Sequence, residues 1–181
     1  MDFGKHYLEN AGFELGRLKR LAEAAMEQIP DDAGFHMELD EASNSIAVIL
    51  QHLSGNMVSR WTDFLTSDGE KPDRHRDREF EAQPDRTRDE LMALWERGWS
   101  TLFASFNALT PQALERNVTI RGEALTVPEA IQRQVVHAAY HVGQIVYLAR
   151  HASSKSGWKS VSMPKAPKGS SESAKGRYKT L

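Results

Sequence analysis

The 181-residue chain has no cysteine. That excludes a disulfide scaffold, a cysteine-type zinc finger, an iron–sulfur cluster and a thiol nucleophile supplied by the protein. It also suits a reducing compartment, so the expected location is cytoplasmic. No apolar run approaches the roughly 20 residues of a membrane span. The opening Met1-Asp2-Phe3-Gly4-Lys5 lacks the basic stretch and apolar core of a signal peptide. A dominant charge sign is missing too: 23 Lys+Arg face 25 Asp+Glu, for a net charge of −2. That balance argues against a domain that grips nucleic acid with its whole surface. The length fits one domain, large enough to fold without a disulfide or metal staple.

The charge that is present is unevenly spread. Residues 153–181 hold seven cations (Lys155, Lys159, Lys165, Lys168, Lys175, Arg177 and Lys179) against Glu172 alone, which leaves residues 1–152 acidic. This segment is rich in Ser, Lys, Gly and Pro and poor in large apolar residues, so it cannot offset the entropy of ordering by burial. It is expected to be a basic, extended tail or a strap across the domain, with Trp158, Val161 and Met163 as anchors. A solvated tail and an arm for polyanions are the alternatives.

Residues 1–152 read as four long helices. The first spans about Phe3 to Gln28, with Leu8, Leu15, Leu18, Ala22, Ala25 and Ile29 on one face, and Pro30–Gly34 as a loop. The second spans Glu41 or Ser43 to Leu65, with Ile46, Ile49, Leu50, Leu53, Met57, Trp61 and Phe64 as its stripe. A charged linker follows, Asp73 to Pro84, whose charge pattern alone reads as solvated surface. The third opens on Thr87-Arg88-Asp89-Glu90, a capping-box spacing, and continues through Leu91, Trp95, Trp99, Leu102 and Phe106. Thr110-Pro111 starts a short helical turn. The period then changes: Val118, Ile120, Leu125 and Val127 flank Arg121-Gly122-Glu123-Ala124 and suggest a small hairpin. The fourth helix starts at Thr126 or Val127, with Pro128 in its first turn, and ends near Ala152. The predicted fold is all-α: a four-helix bundle with a small β-hairpin before the fourth helix and an extended C-terminal tail.

Three histidines carry the chemistry. His137 and His141 stand i, i+4 on the fourth helix, which puts their Cβ atoms about 5–6 Å apart on one side. Two ligands do not complete a metal site, and His52, at the border of the second helix's stripe, is the best third. Asn56 and Arg60 continue the ridge of His52 at i+4 and i+8. A polar strip beside a core stripe suggests a wet cavity or ligand site. Spacing alone leaves the alternative of a satisfied boundary histidine with Asn56 and Arg60 exposed. The sequence His137-Ala138-Ala139-Tyr140-His141 has no Glu after the first His, which argues against a peptidase of the HExxH type. His6, His36, His75 and His151 are assigned no role.

His52 followed by His137-Ala-Ala-Tyr-His141-Val-Gly-Gln144 resembles the DinB superfamily, and an uncharacterised branch of it in particular. Further segments carry the likeness: His52-Leu53-Ser54-Gly55-Asn56-Met57, Ser59-Arg60-Trp61-Thr62-Asp63-Phe64-Leu65, Asp68-Gly69-Glu70-Lys71-Pro72 and Arg76-Asp77-Arg78-Glu79-Phe80. The ribbon before the fourth helix and a strap with Trp158 and Pro164 add to it. The resemblance implies a four-helix bundle in which His52, His137 and His141 hold a divalent metal ion, nickel or zinc before others. Neutral imidazoles suit such ions and not Mg or Ca. It further implies a low-molecular-weight thiol as cosubstrate, acidified by the metal and attacking a small electrophile, and a homodimer. The apolar breadth of the fourth helix fits a homodimer as well. In this scheme Asn56 orients a bound water or thiol and Arg60 holds an anionic group. The alternative for Arg60 is an ion pair with Asp68 or Glu70. Asp68 to Phe80 is then a local lid rather than plain surface.

Three function classes follow. The first is a metal-dependent enzyme, S-transferase-like or hydrolase-like. The second is a metal-binding stress or regulatory protein without turnover. The third is a structural interaction bundle with vestigial histidines. A membrane partner is not expected, and nucleic acid is disfavoured by the acidic body.

Overall fold

A computed structural model of the chain describes residues 2–154 and 157–162. It is mostly helical: α1 (Phe3–Met26), the short α2 (Ala33–His36), α3 (Ile46–Trp61), α4 (Arg88–Asn107) and α5 (Val127–Ala152). An antiparallel hairpin, β1 (Asn117–Ile120) and β2 (Glu123–Thr126), precedes α5. The four long helices and the hairpin are those the sequence predicts. Met163 to Leu181 lie outside the described residues, so the expected extension of the tail beyond 162 is not described. The earlier part is a strap: Trp158 and Val161 pack against the core, and Gln28 takes the Lys159 N–H on Oε1 at 2.7 Å.

Each long helix starts where a side chain meets its free amides. The Asp2 carboxylate accepts from Lys5 N, and the Ser45 hydroxyl from Val48 N. Thr87 with Glu90 and Thr126 with Glu129 both form capping boxes. The second helix is shorter than the sequence suggests at both ends. Ser45 rather than Glu41 or Ser43 is its cap, and it stops at Trp61 because Asp63 takes a positive φ of 50° in a turn. Arg76–Phe80, inside the charged linker, is a 3-10 turn, as is Pro111–Glu115.

α3 packs chiefly on α4, and α1 chiefly on α5. Ala11, Leu15, Leu18, Ala22 and Ala25 of α1 recur at alternating four- and three-residue steps and are all buried. On α4, Leu91, Trp95, Trp99, Leu102 and Phe106 recur at steps of three or four residues and are buried too. The two helices of the α3/α4 pair come so close that a Cβ on Gly98 would lie 2.8 Å from the Ser54 Cα. The α3/α5 seam is looser, and it opens into a cleft.

The hairpin closes one end of that cleft. Its turn residues Arg121 and Gly122 both have positive φ, 57° and 75°, as a two-residue turn matching strand twist requires. A left-handed arginine costs about 1–2 kcal/mol. The Asp68 carboxylate offsets this by accepting both turn amides, from Arg121 N at 2.9 Å and Gly122 N at 2.8 Å. Gly69 N donates to Thr119 O at 2.8 Å. The Asp68-Gly69-Glu70 segment is thereby a clasp between the end of α3 and the hairpin. Among the described residues, no helix is long and apolar enough to cross a membrane.

Candidate metal centre

The three predicted histidines meet. His52 projects from the middle of α3, and His137 and His141 project one turn apart from α5. One ligand atom of each lies within 4.8 Å of the others. His52 Nε2 and His137 Nε2 are 3.1 Å apart, and the rings sit edge to face with centroids 4.7 to 5.1 Å apart.

The protonation pattern follows from what holds each ring. The Glu79 carboxylate stands 2.9 Å from His52 Nδ1. Burial raises the Glu79 pKa, but hydrogen bonds from Arg74 and His52 more than offset it and hold the group below the usual carboxylate range. An ionised carboxylate only accepts, so Nδ1 carries a proton, which in a neutral ring leaves the lone pair on Nε2. The Gln144 amide oxygen lies 2.8 Å from His141 Nδ1 and sets the same tautomer there. His141 is pulled down by burial and by the neighbouring His52, against a smaller upward effect of Gln144. For His137, burial comes first, followed by the positive potential of His141, His52, Arg74 and Arg60. Together they push its pKa down to about 3. Its Nδ1 is buried with no hydrogen-bond partner among the described residues.

This donor set fits a divalent ion. Two imidazole nitrogens at 3.1 Å need a proton or a cation between them. Two nitrogens on one zinc, each at about 2.0–2.1 Å in tetrahedral geometry, stand roughly 3.3 Å apart. Rings oriented through Nδ1 by a carboxylate and an amide have the support that metal-ligating histidines receive.

The linker provides what sequence reasoning missed. Glu79 lies in the 3-10 turn, where its charge pattern looks like solvated surface, yet its carboxylate is the partner of His52. Arg74 grips it side-on, Nε to Oε1 and Nη2 to Oε2, both at 2.8 Å. Phe80 lies against the His52 ring, centroids 4.7 Å apart and planes tilted by 34°. Gly55, one turn after His52, makes the space: a Cβ there would fall 2.2 Å from Glu79 Oε1. A glycine three residues after a helical ligand was the sequence signal for an approaching group.

Asn56 and Arg60 face the same cleft as His52 and His137, a cavity of about 560 Å³. Trp61, Phe64, Ile120 and Ala130 give it an apolar wall. Arg60 is 9% exposed, and its Nη2 pairs with Glu70 at 3.0 Å, the ion pair foreseen as the alternative. That pair occupies one end of the guanidinium only: Nη1 has no partner among the described residues. Arg74 and Arg121 also contact Glu70, so a chain of alternating charge runs from Arg60 through Glu70, Arg74 and Glu79 to His52. Gln134, one turn before His137, receives the Trp61 indole N–H on Oε1 at 3.1 Å.

A family model described as Protein of unknown function (DUF1572) matches residues 2–167. No curated protein and no solved structure matches the chain.

Proposed function

The chain belongs to the DUF1572 family, and we propose that it is a metal-dependent enzyme of DinB type. His52, His137 and His141 would hold nickel or zinc. The observation that carries the proposal is three imidazole nitrogens converging within 4.8 Å, two of their residues, His52 and His137, lining a cleft of about 560 Å³. Three protein ligands leave a coordination position for an exogenous group, the layout of catalytic sites. The bound ion would acidify a low-molecular-weight thiol or a water, so that a nucleophile exists near neutral pH. The order of ligands, one histidine on α3 and an i, i+4 pair on the helix after a hairpin, supports the DinB assignment.

The chain's own groups do the rest. Glu79 and Gln144 hold the Nδ1 protons of His52 and His141 and keep both Nε2 lone pairs aimed inward. Asn56, one turn from His52, orients the nucleophile with its amide. The apolar wall excludes water from the electrophile. The reaction class is S-transfer to a small electrophile or hydrolysis.

A homodimer belongs to the same proposal. Val136, Tyr140 and Tyr147 lie on one stripe of α5 and are 57, 65 and 66% exposed. Light scattering tests this, and a monomer at micromolar concentration contradicts it.

The primary test is metal content of untagged protein by mass spectrometry, alongside His52→Ala, His137→Ala and His141→Ala. About one nickel or zinc per chain, lost in each variant, is expected, followed by turnover in a screen of thiols with electrophiles. Stoichiometric metal without turnover across the panel would favour a binding or regulatory role. No metal after reconstitution would end the enzyme reading. Asn56→Ala is expected to lower kcat with metal content unchanged.

A further inference from the structure

Among the described residues, four buried side-chain nitrogens have no hydrogen-bond partner: Arg60 Nη1, Gln134 Nε2, His137 Nδ1 and Trp99 Nε1. Three of the four belong to residues that line the one cleft. Buried donors without acceptors are costly, so their concentration in a single cavity needs a reason.

Two of them have a fixed chemical sense. An indole N–H can only donate, so Trp61 fixes Gln134 with its oxygen toward the indole and its NH2 group as the free end. A guanidinium has no acceptor, so Arg60 Nη1 is likewise a donor. Arg60 and Gln134 are 9% and 4% exposed, so solvent does not readily serve either. The two free NH2 groups together offer up to about four N–H bonds, the number of lone-pair sites on one carboxylate. The surroundings favour an anion. Arg60, Arg74, Arg76, Arg121 and Arg133 line the cleft, and no acidic residue does among the described residues. Glu70 and Glu79 hold Arg74 from behind, and Glu70 takes the opposite end of Arg60.

We infer that Arg60 Nη1 and Gln134 Nε2 form a carboxylate subsite, and that the substrate of this cleft is a small organic acid with an apolar body against Trp61, Phe64 and Ile120. The inference rests on the metal reading only for what happens at the other end of such a molecule. Gln134 lies three residues from His137, about 4.5 Å of helix rise, and Arg60 lies eight from His52, about 12 Å. Asn56 stands between. A carboxylate anchored at the hairpin end therefore leaves the rest of the molecule pointing along the cleft toward the histidines.

The test is calorimetric titration of the full chain, loaded with zinc, with sodium benzoate, benzamide and inorganic phosphate at constant ionic strength. Benzoate is expected to bind at least tenfold tighter than the other two. Gln134→Glu keeps an oxygen for Trp61 and replaces only the free donor end. Arg60→Gln removes the charge while Glu70 retains Arg74 and Arg121. Each is expected to weaken benzoate at least tenfold with zinc stoichiometry unchanged. Benzamide or phosphate binding as well as benzoate, or benzoate binding unchanged in both variants, would overturn the subsite and leave the metal reading standing. In His141→Ala, benzoate binding within threefold of wild type, with zinc lost, supports the subsite independently of the metal. Were the wild type to bind benzoate selectively but hold no metal, the subsite would stand and the metal reading would fall.

Discussion

The two sides of α3 obey different rules. Toward α4, Leu50, Leu53 and Met57 are at most 1% exposed and share the core with Trp95, Trp99 and Leu102 in a dry seam. There the indole N–H of Trp95 donates to Glu23 at 3.0 Å, and Trp99 Nε1 is the one buried side-chain nitrogen of this seam without a partner among the described residues. Toward α5 the same helix presents His52, Asn56 and Arg60, 5 to 9% exposed, beside polar atoms left with free ends. One seam is filled with apolar side chains, and the other gathers three of the four unpartnered nitrogens among the described residues at one cleft. The apolar stripe and the polar ridge are centred about a quarter to a third of a turn apart on one helix.

This contrast can be broken from either side. The largest effect is expected on the dry seam: Leu53→Ala should cost about 2–5 kcal/mol in denaturant unfolding, with metal per folded chain unchanged. A variant that lost its metal while keeping its stability would show that the seams are not separate.

On the wet side, Glu79→Gln and Gly55→Ala should each lower metal affinity by about 10–100-fold, since both remove the carboxylate from His52. Competition with a chromogenic chelator measures this, and circular dichroism should show the helices intact. Next in size is His137→Leu. It removes a buried orphan nitrogen and should raise the stability of the metal-free protein by about 1 kcal/mol while abolishing metal binding. A loss of stability instead would mean that His137 contributes to packing as core residues do.

The smallest effect concerns the clasp. Backbone hydrogen bonds from Glu70, Gly122 and Arg121 hold the Asp68 carboxyl below its ordinary range. A lowered carboxylate contributes stability that is fully present above its unfolded pKa and lost as pH falls through its folded one. Thermal unfolding of wild type and Asp68→Asn should therefore differ at neutral pH and converge on acidification below about pH 4.

What was legible in the sequence was local. The four long helices follow from stripes three and four residues apart, and Thr87 with Glu90 marks a helix start that the structure keeps. His137 and His141 share a helix, so their proximity is a matter of spacing alone. That His52 meets them required the bundle. Glu79 was hidden because its 27-residue separation from His52 runs through a linker whose alternating charges look the same whether solvated or docked. Gln134 was hidden because glutamine on a helix has no telling periodicity; only the Trp61 contact reveals its orientation. The four-residue α2 was not foreseen either, since Pro30–Gly34 carries turn signals and no stripe.

The notch at Gly55 has a consequence in time. The helices can pair through contacts near in sequence or along whole faces, but Glu79 reaches His52 only after α3 exists and the linker has folded back onto it. The loop that must close for this contact spans 27 residues, against 85 between His52 and His137, so its closure costs less. By that measure Glu79 steadies His52 before the two imidazoles of α5 reach it.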